Sequence, residues 1–135
     1  MGIMSEILAN KLLNAIFRNE GLQNENVNLS LHTNSPGDDG SNEVTAGENT
    51  YTRKETEAAD WDAADDKVIK TAATADFEWE DMPGVTVTHI GVWSAISVGD
   101  FLWGGALTAS KTVPAGETLR FKGGEIVAEI DPEET

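Results

Sequence analysis

The chain has 135 residues, 24 acidic and 9 basic, for a formal net charge of −15, and its length suits one domain with one hydrophobic core. The acidic excess runs through both halves, 13 acids against 4 bases in residues 1–66 and 11 against 5 in residues 67–135. Such a surface repels phosphate backbones and anionic lipid, so neither nucleic acid nor a membrane is expected as a partner. Cysteine is absent, which removes disulfides and thiolate metal sites, and no apolar stretch has the length that spans a bilayer.

The hydrophobic fraction of 39% with four Trp and four Phe is enough to anchor a folded interior, and 13 glycines announce many turns. The opening residues break their apolar run with acids and amides and carry no cleavage pattern, so no signal peptide is expected. Residues 5–18 then read as a helix. Ser5 is the candidate N-cap, Leu8, Leu12, Ala15 and Ile16 recur at helical spacing, and Gly21 marks the stop. A helix this short is marginal alone, so its apolar face must dock on its own domain or on a neighbour.

After Gly21 the period changes from helical to alternating. Val27, Leu29 and Leu31 alternate with Asn28, Ser30 and His32, the pattern of a half-buried strand. Pro36-Gly37-Asp38-Asp39-Gly40 reads as a loop, and Ser41 to Asp66 as long polar loops with one or two short strands. Further strands are expected at 67–71, 76–79, 85–93, 101–107, 118–122 and 126–130, separated by turns at Pro83-Gly84, Gly99-Asp100, Pro114-Ala115-Gly116 and Gly123-Gly124. Two glycines in the middle of 101–107 suggest a bulge or a close backbone contact. Short strands at this spacing imply a mainly β fold, a jelly-roll-like sandwich or barrel with a short N-terminal α-helix. The expected organisation is a helical arm over 1–20, a β domain over 21–131 and a polar tail over 132–135.

Three blocks then stand out in order. The first runs from Leu31-His32-Thr33-Asn34-Ser35-Pro36-Gly37-Asp38-Asp39-Gly40 through Asn42, Glu43 and Val44 to Tyr51 and Arg53. The second is Val87-Thr88-His89-Ile90-Gly91-Val92-Trp93. The third begins at Phe101-Leu102, passes Gly105-Ala106-Leu107-Thr108 and Lys111-Thr112-Val113, and ends on Thr118-Leu119-Arg120-Phe121. Together they resemble a family of small phage virion proteins, often labelled tail fibre proteins, which also begin with a short helix. The resemblance implies a jelly-roll-like domain that forms trimers on the exterior of the virion, on the capsid or on the tail. The primary expectation is a capsid decoration (cement) protein, assembled in the bacterial cytoplasm, that binds and stabilises the major capsid shell as a homotrimer. The alternative is a tail fibre or tail-tip subunit that binds other tail proteins and touches the host surface. The segment Thr45–Asp66 is more acidic than the family pattern, and no stretch has the period of a fibre shaft.

No cofactor and no enzymatic activity are expected. His32 and His89 each lie in a β-type run and read as structural, hydrogen-bonded histidines. Candidates for a Ser-His-Asp triad are numerous, but no nucleophile elbow accompanies them. Asp60, Asp62, Asp65 and Asp66 form an acidic cluster without the glycine and terminal bidentate acid of an EF-hand loop, so a solvated loop is preferred to calcium. A paired-carboxylate glycosidase depends on a separation in space that sequence does not give. Trp79, Trp93 and Trp103 could line a carbohydrate-binding surface, but a domain of this size needs them in its core. The residues expected to meet a partner or a second copy are Leu8, Leu12 and Ile16 on the helix, Pro36, Asp38 and Asn42 in the first loop, and Trp61 in the acidic loop.

Overall fold

A computed structural model describes residues 2–21, 26–45 and 50–129. Strand β1 (Gly2–Met4) leads directly into helix α1 (Glu6–Phe17). The hydroxyl of Ser5 accepts the amide N–H of Leu8 at 3.1 Å, the N-cap the sequence suggests. The helix ends at Arg18, and Asn19 takes a left-handed φ of 55°. β1 is too short for periodicity to reveal, and it was not expected.

The main sheet is antiparallel with the order β1-β7-β6-β2-β3. Its members are β2 (Asn28–His32), β3 (Lys54–Glu55), β6 (Val85–Trp93) and β7 (Phe101–Val113), with β1 at one edge. Two smaller antiparallel pairs complete the fold: β4 (Val68–Lys70) with β9 (Val127–Glu129), and β5 (Phe77–Trp79) with β8 (Leu119–Phe121). The pairings nest: β6 with β7, β5 with β8, β4 with β9. Nested antiparallel pairing is the signature of one long hairpin rolled into two layers, the wrapping of a jelly roll. The mainly β expectation, with one short N-terminal helix, describes the chain.

The core lies between the layers. Leu29 and Leu31 of β2, Val87 and Ile90 of β6 and Trp103 and Val113 of β7 meet Phe77, Trp79, Leu119 and Phe121 of the small sheets in one buried cluster. Val87 and Ile90 have odd spacing, yet both face inward, because the register of β6 against β7 shifts between Val87 and His89. The extra residues at this shift lie on β7, which runs from Ala106 to Lys111 while β6 runs only from His89 to Val87, and such an irregularity bends and twists the pair locally. Trp79 packs edge-on against Phe121 with centroids 5.8 Å apart and donates its indole N–H to the Thr52 carbonyl at 2.9 Å. Outside, Arg120 of β8 holds Asp76 at 2.5 Å across the strand pair.

The expected strands match the observed ones within a residue or two, apart from β7. That strand continues six residues beyond Leu107, to Val113. Ile130 and the polar tail 132–135 lie outside the described residues.

Candidate functional site

Strand β2 is buried along all five residues, so it has two dry faces. Leu29 and Leu31 face the main core, and Asn28, Ser30 and His32 face the other way. A loop, residues 33–43, folds back over this second face and closes a small compartment of its own. All three sequence blocks meet there. Ser30 lies opposite Gly91, and His32 opposite His89, across the β2–β6 pairing. Trp93 and Phe101 pack edge to face at 5.2 Å, and His32 meets Phe101 at 6.2 Å.

A hydrogen-bonded chain runs through the compartment. The Trp93 indole N–H donates to the Ser30 hydroxyl at 2.9 Å. Ser30 in turn lies 2.6 Å from Nε2 of His32, and Nδ1 of His32 lies 2.8 Å from the Ser41 carbonyl. A carbonyl only accepts, so Nδ1 carries the proton and Nε2 accepts from Ser30. The neutral ring therefore satisfies every partner. Burial pushes its pKa below 6.5, against the opposing pulls of the Ser41 carbonyl and the Glu43 carboxylate. The Ser30–His32 pair has the spacing of a nucleophile and its base, but both residues are fully buried and the hydroxyl is already held by Trp93. This pair is a structural one.

The compartment explains the glycines of the motif. Gly40 has φ +82°, and a Cβ there would run into the Trp93 ring. A Cβ on Gly91 would sit 2.5 Å from the Ser30 hydroxyl and 2.7 Å from Nε2 of His32.

Arg53 locks the compartment from outside. Its Nε and Nη2 each donate to a carboxylate oxygen of Glu43 at 3.1 Å. Its Nη1 donates to the carbonyls of Ala95 and Val98 at 3.1 and 2.7 Å, and its guanidinium lies 3.7 Å from the centre of a Trp93 ring. Bidentate pairing and stacking on an aromatic face are what guanidinium geometry favours. Tyr51 adds a third tie, donating to Glu43 at 2.9 Å and accepting the Leu31 N–H at 3.0 Å. Burial drives its phenol pKa well above the ordinary value. The Arg53 clamp fixes the loop at 94–100, where Val98 has φ 57° and, like Ile96, is exposed.

The second feature is an open apolar cleft of about 580 Å³ beside α1. Leu8, Val27, Trp61, Val68, Val92 and Trp103 form most of its wall, with Lys67 and Glu129 the charged members. Trp61 is held there by donating its indole N–H to the Thr56 hydroxyl at 2.9 Å. Above the cleft, α1 rests on the sheet without burying a single residue completely. Its Leu8, Leu12 and Ala15 side is half-buried. Leu13, Ile16 and Phe17 are 55%, 76% and 80% exposed.

The residues expected to meet a partner fall into two groups. Leu8 and Trp61 come together in the cleft, Leu12 lies half-buried along the helix, and Ile16 stands in solvent. The loop residues are engaged within the chain. Pro36 is buried against Gly104, and the Asn42 amide donates to the Ser35 carbonyl at 2.8 Å. Asp38 accepts the backbone N–H of Glu6 at 2.8 Å, which ties the loop to the first turn of α1 and places a negative charge where the helix dipole favours one.

Several other sequence ideas are settled by position. Trp79, Trp93 and Trp103 are buried, so they form no carbohydrate-binding surface. Asp60 accepts the Glu57 N–H at 2.8 Å and caps a 3₁₀ turn. Asp66 and Lys67, both at positive φ, form the two-residue turn between Asp65 and Val68. Among the described residues no three His, Asp or Glu side chains are grouped to hold a metal. His32 and His89 do become cross-strand partners, but both ring nitrogens of His32 are already bonded.

Sequence reasoning missed the Arg53 clamp, whose partners lie 10 to 45 positions away. It also missed Leu13 and Phe17. These four-apart apolar residues, with Ile16 between them, are a helical signal in themselves.

No curated protein matches the chain. The family model described as podophage GP4 fiber I protein gp80 matches residues 3–129, from β1 to the end of β9. The match takes in the sealed compartment, the cleft and α1 together, and the chain belongs to this Gp80 family of phage fibre proteins.

Proposed function

We propose that this protein is a non-enzymatic structural subunit on the exterior of a podophage virion, a fibre-associated module that works by assembling with copies of itself and then with tail proteins. The observation that carries this reading is α1, twelve residues long with no buried member and with Leu13, Ile16 and Phe17 turned to solvent. A helix of this length is marginal in water, and one that is apolar beyond a single stripe belongs under cover. The assembly we propose is a homotrimer. Its net charge of −15 favours protein partners over nucleic acid or an anionic membrane.

A second reading, a capsid decoration protein that binds the major capsid shell, draws on the compact sandwich, since the described residues contain no extended shaft. Both readings predict a trimer in solution by light scattering. Immunogold labelling of intact virions separates them. Label confined to the tail supports the fibre-associated subunit, label scattered over the head supports decoration, and unlabelled particles would refute both. Turnover of a host glycan that is lost on replacing one carboxylate would overturn the non-enzymatic reading.

A further inference from the structure

We propose that loop 33–43 is an acid-released latch: when His32 takes up a proton, the loop lifts off β2 and lets go of the first turn of α1.

The polarity of the hydrogen-bond chain carries this. The chain closes only around a neutral ring, because Nε2 accepts from Ser30 while Ser30 accepts from Trp93. In the protonated imidazole both nitrogens donate. Two donors, Nε2 at 2.6 Å and the Trp93 indole at 2.9 Å, then point at one hydroxyl oxygen, and the Ser30 proton loses its acceptor. Ser30 and His32 are fully buried, so solvent does not take over. Nor does a free counter-charge. The charged and titratable groups around His32 are Glu43 from the end of the loop, Arg53 and Tyr51 from the segment before β3, and His89 from β6, while β7 presents Phe101. Glu43 is already engaged by two Arg53 nitrogens and the Tyr51 hydroxyl, and Arg53 and His89 oppose a positive ring. A dry site does not tolerate an unpaired charge, so the ring stays neutral or the site opens.

The loop is the part free to open. β2 and β6 are paired residue by residue beside the ring, from Asn28 with Trp93 to His32 with His89. The loop instead braces itself. The amides of Gly40 and Ser41 both donate to the Pro36 carbonyl, at 3.0 and 2.9 Å, and the Asn42 side chain donates to the Ser35 carbonyl. The Thr33 N–H closes the base on the Asn42 carbonyl at 3.0 Å, so the loop can swing as one body about residues 33 and 42. Its ties to the compartment are the His32–Ser41 bond and the packing of Gly40 on Trp93 and of Pro36 on Gly104. Its tie to α1 is the Asp38 carboxylate on the Glu6 N–H at 2.8 Å. Lifting the loop breaks that bond, and the proton taken up at His32 is felt at the start of the helix.

The test is native-state amide exchange of the full chain, each rate divided by the intrinsic rate at its pH. If the ring titrates near 6.5 in the open form and stays neutral in the closed one, the open population rises about 25-fold between about pH 7 and about pH 5. Glu6, Gly40 and Ser41 should share that rise, and the core amides of β6 and β7 should not. His32→Gln, which takes up no proton, should abolish it. His89→Gln, which lies outside the chain of bonds, should keep it. A wild-type rise below about threefold would overturn the latch, as would a rise that the core amides share, which is global unfolding. Both of these are read on the wild type, whether or not the variants fold. A rise that survives His32→Gln or disappears in His89→Gln would overturn the trigger, and a rise at Gly40 and Ser41 without Glu6 would overturn the link to α1.

Discussion

The sealed compartment under loop 33–43 and helix α1 lie on the same chain and solve the burial problem in opposite ways. In the compartment a closed chain of hydrogen bonds runs within the molecule, from the Trp93 indole through Ser30 and His32 to the Ser41 carbonyl. Helix α1 leaves its outward apolar residues in solvent, although it is tied at its start by Ser5 and Asp38. The difference teaches where to look for function. A motif rich in glycine, histidine and tryptophan invites a catalytic reading, but here those residues are consumed in holding one loop. The plainer helix carries the unfinished surface.

The Arg53 clamp gives the largest expected break. Its side chain is 10% exposed and that of Glu43 22%, so Arg53→Ala strands a carboxylate in a mostly dry site. Removing one partner of such a pair costs about 3 kcal/mol, which a urea unfolding curve reads directly. A loss below about 1 kcal/mol, the range of surface pairs, would show that the clamp is ornamental and that the compartment stands on packing alone.

Next comes Gly91→Ala. The added methyl meets the Ser30 hydroxyl and His32 at once, and overpacking of this kind costs about 2 kcal/mol. Ser30→Ala in the same chain frees space and should recover part of that loss. Full independence of the two changes would place the clash elsewhere. Ser5→Ala then tests the other region. Loss of an N-cap costs about 1 kcal/mol, and it should appear as lost helical circular dichroism with the aromatic signal of the core unchanged.

How much of this was legible in the sequence follows the range of the interactions. Val85–Trp93 announced itself through β-branched residues and matches β6 end to end, and Ser5 announced the helix start, because both signals are local. The second half of β7 was hidden, since exposed Thr108, Ala109 and Ser110 show neither hydrophobic alternation nor β-branched density. β1 was hidden by its three residues; what makes it a strand is the pairing of Met4 with Trp103, a contact across a hundred positions. The three blocks were visible as blocks, but their convergence on one face of β2 was not. That convergence depends on β2 being buried on both sides, which alternation of Leu with Ser and His argues against. The glycines between 101 and 107 suggest a bulge or a close approach. Gly104 is a close approach to Pro36, and a register shift also falls in this stretch, at Val92/Trp93, where Leu102 of β7 is the extra residue.

A smaller effect should appear in the pH dependence of stability. His32 titrates below 6.5 in the folded chain because it is buried. In the unfolded chain it titrates near 6.5, so as pH falls through that value the unfolded state takes up the proton first. Stability is then full above pH 6.5 and declines as pH drops toward the folded pKa. His32→Gln removes the titrating group, so the slope of unfolding free energy against pH between 6.5 and the folded pKa should flatten. An unchanged slope would assign the acid sensitivity to the carboxylates or to His89, whose pKa is also lowered by burial.

The smallest expected effect on stability sharpens the comparison most. Phe17 is 80% exposed, so Phe17→Ser should shift the unfolding free energy of the dissociated chain by no more than about 0.5 kcal/mol. The same change removes a large apolar anchor from the proposed interface, where a single aromatic hot spot is worth about 2 kcal/mol or more, roughly a thirtyfold weakening of each contact. Compartment substitutions should show the reverse, a large loss of folding stability with assembly limited only by the fraction folded. Unfolding curves taken at high dilution, beside sedimentation at high concentration, place each variant on one axis or the other. If Phe17→Ser moved both together, α1 would be part of the chain's own fold, and its exposed face could not be what the protein offers to its neighbours.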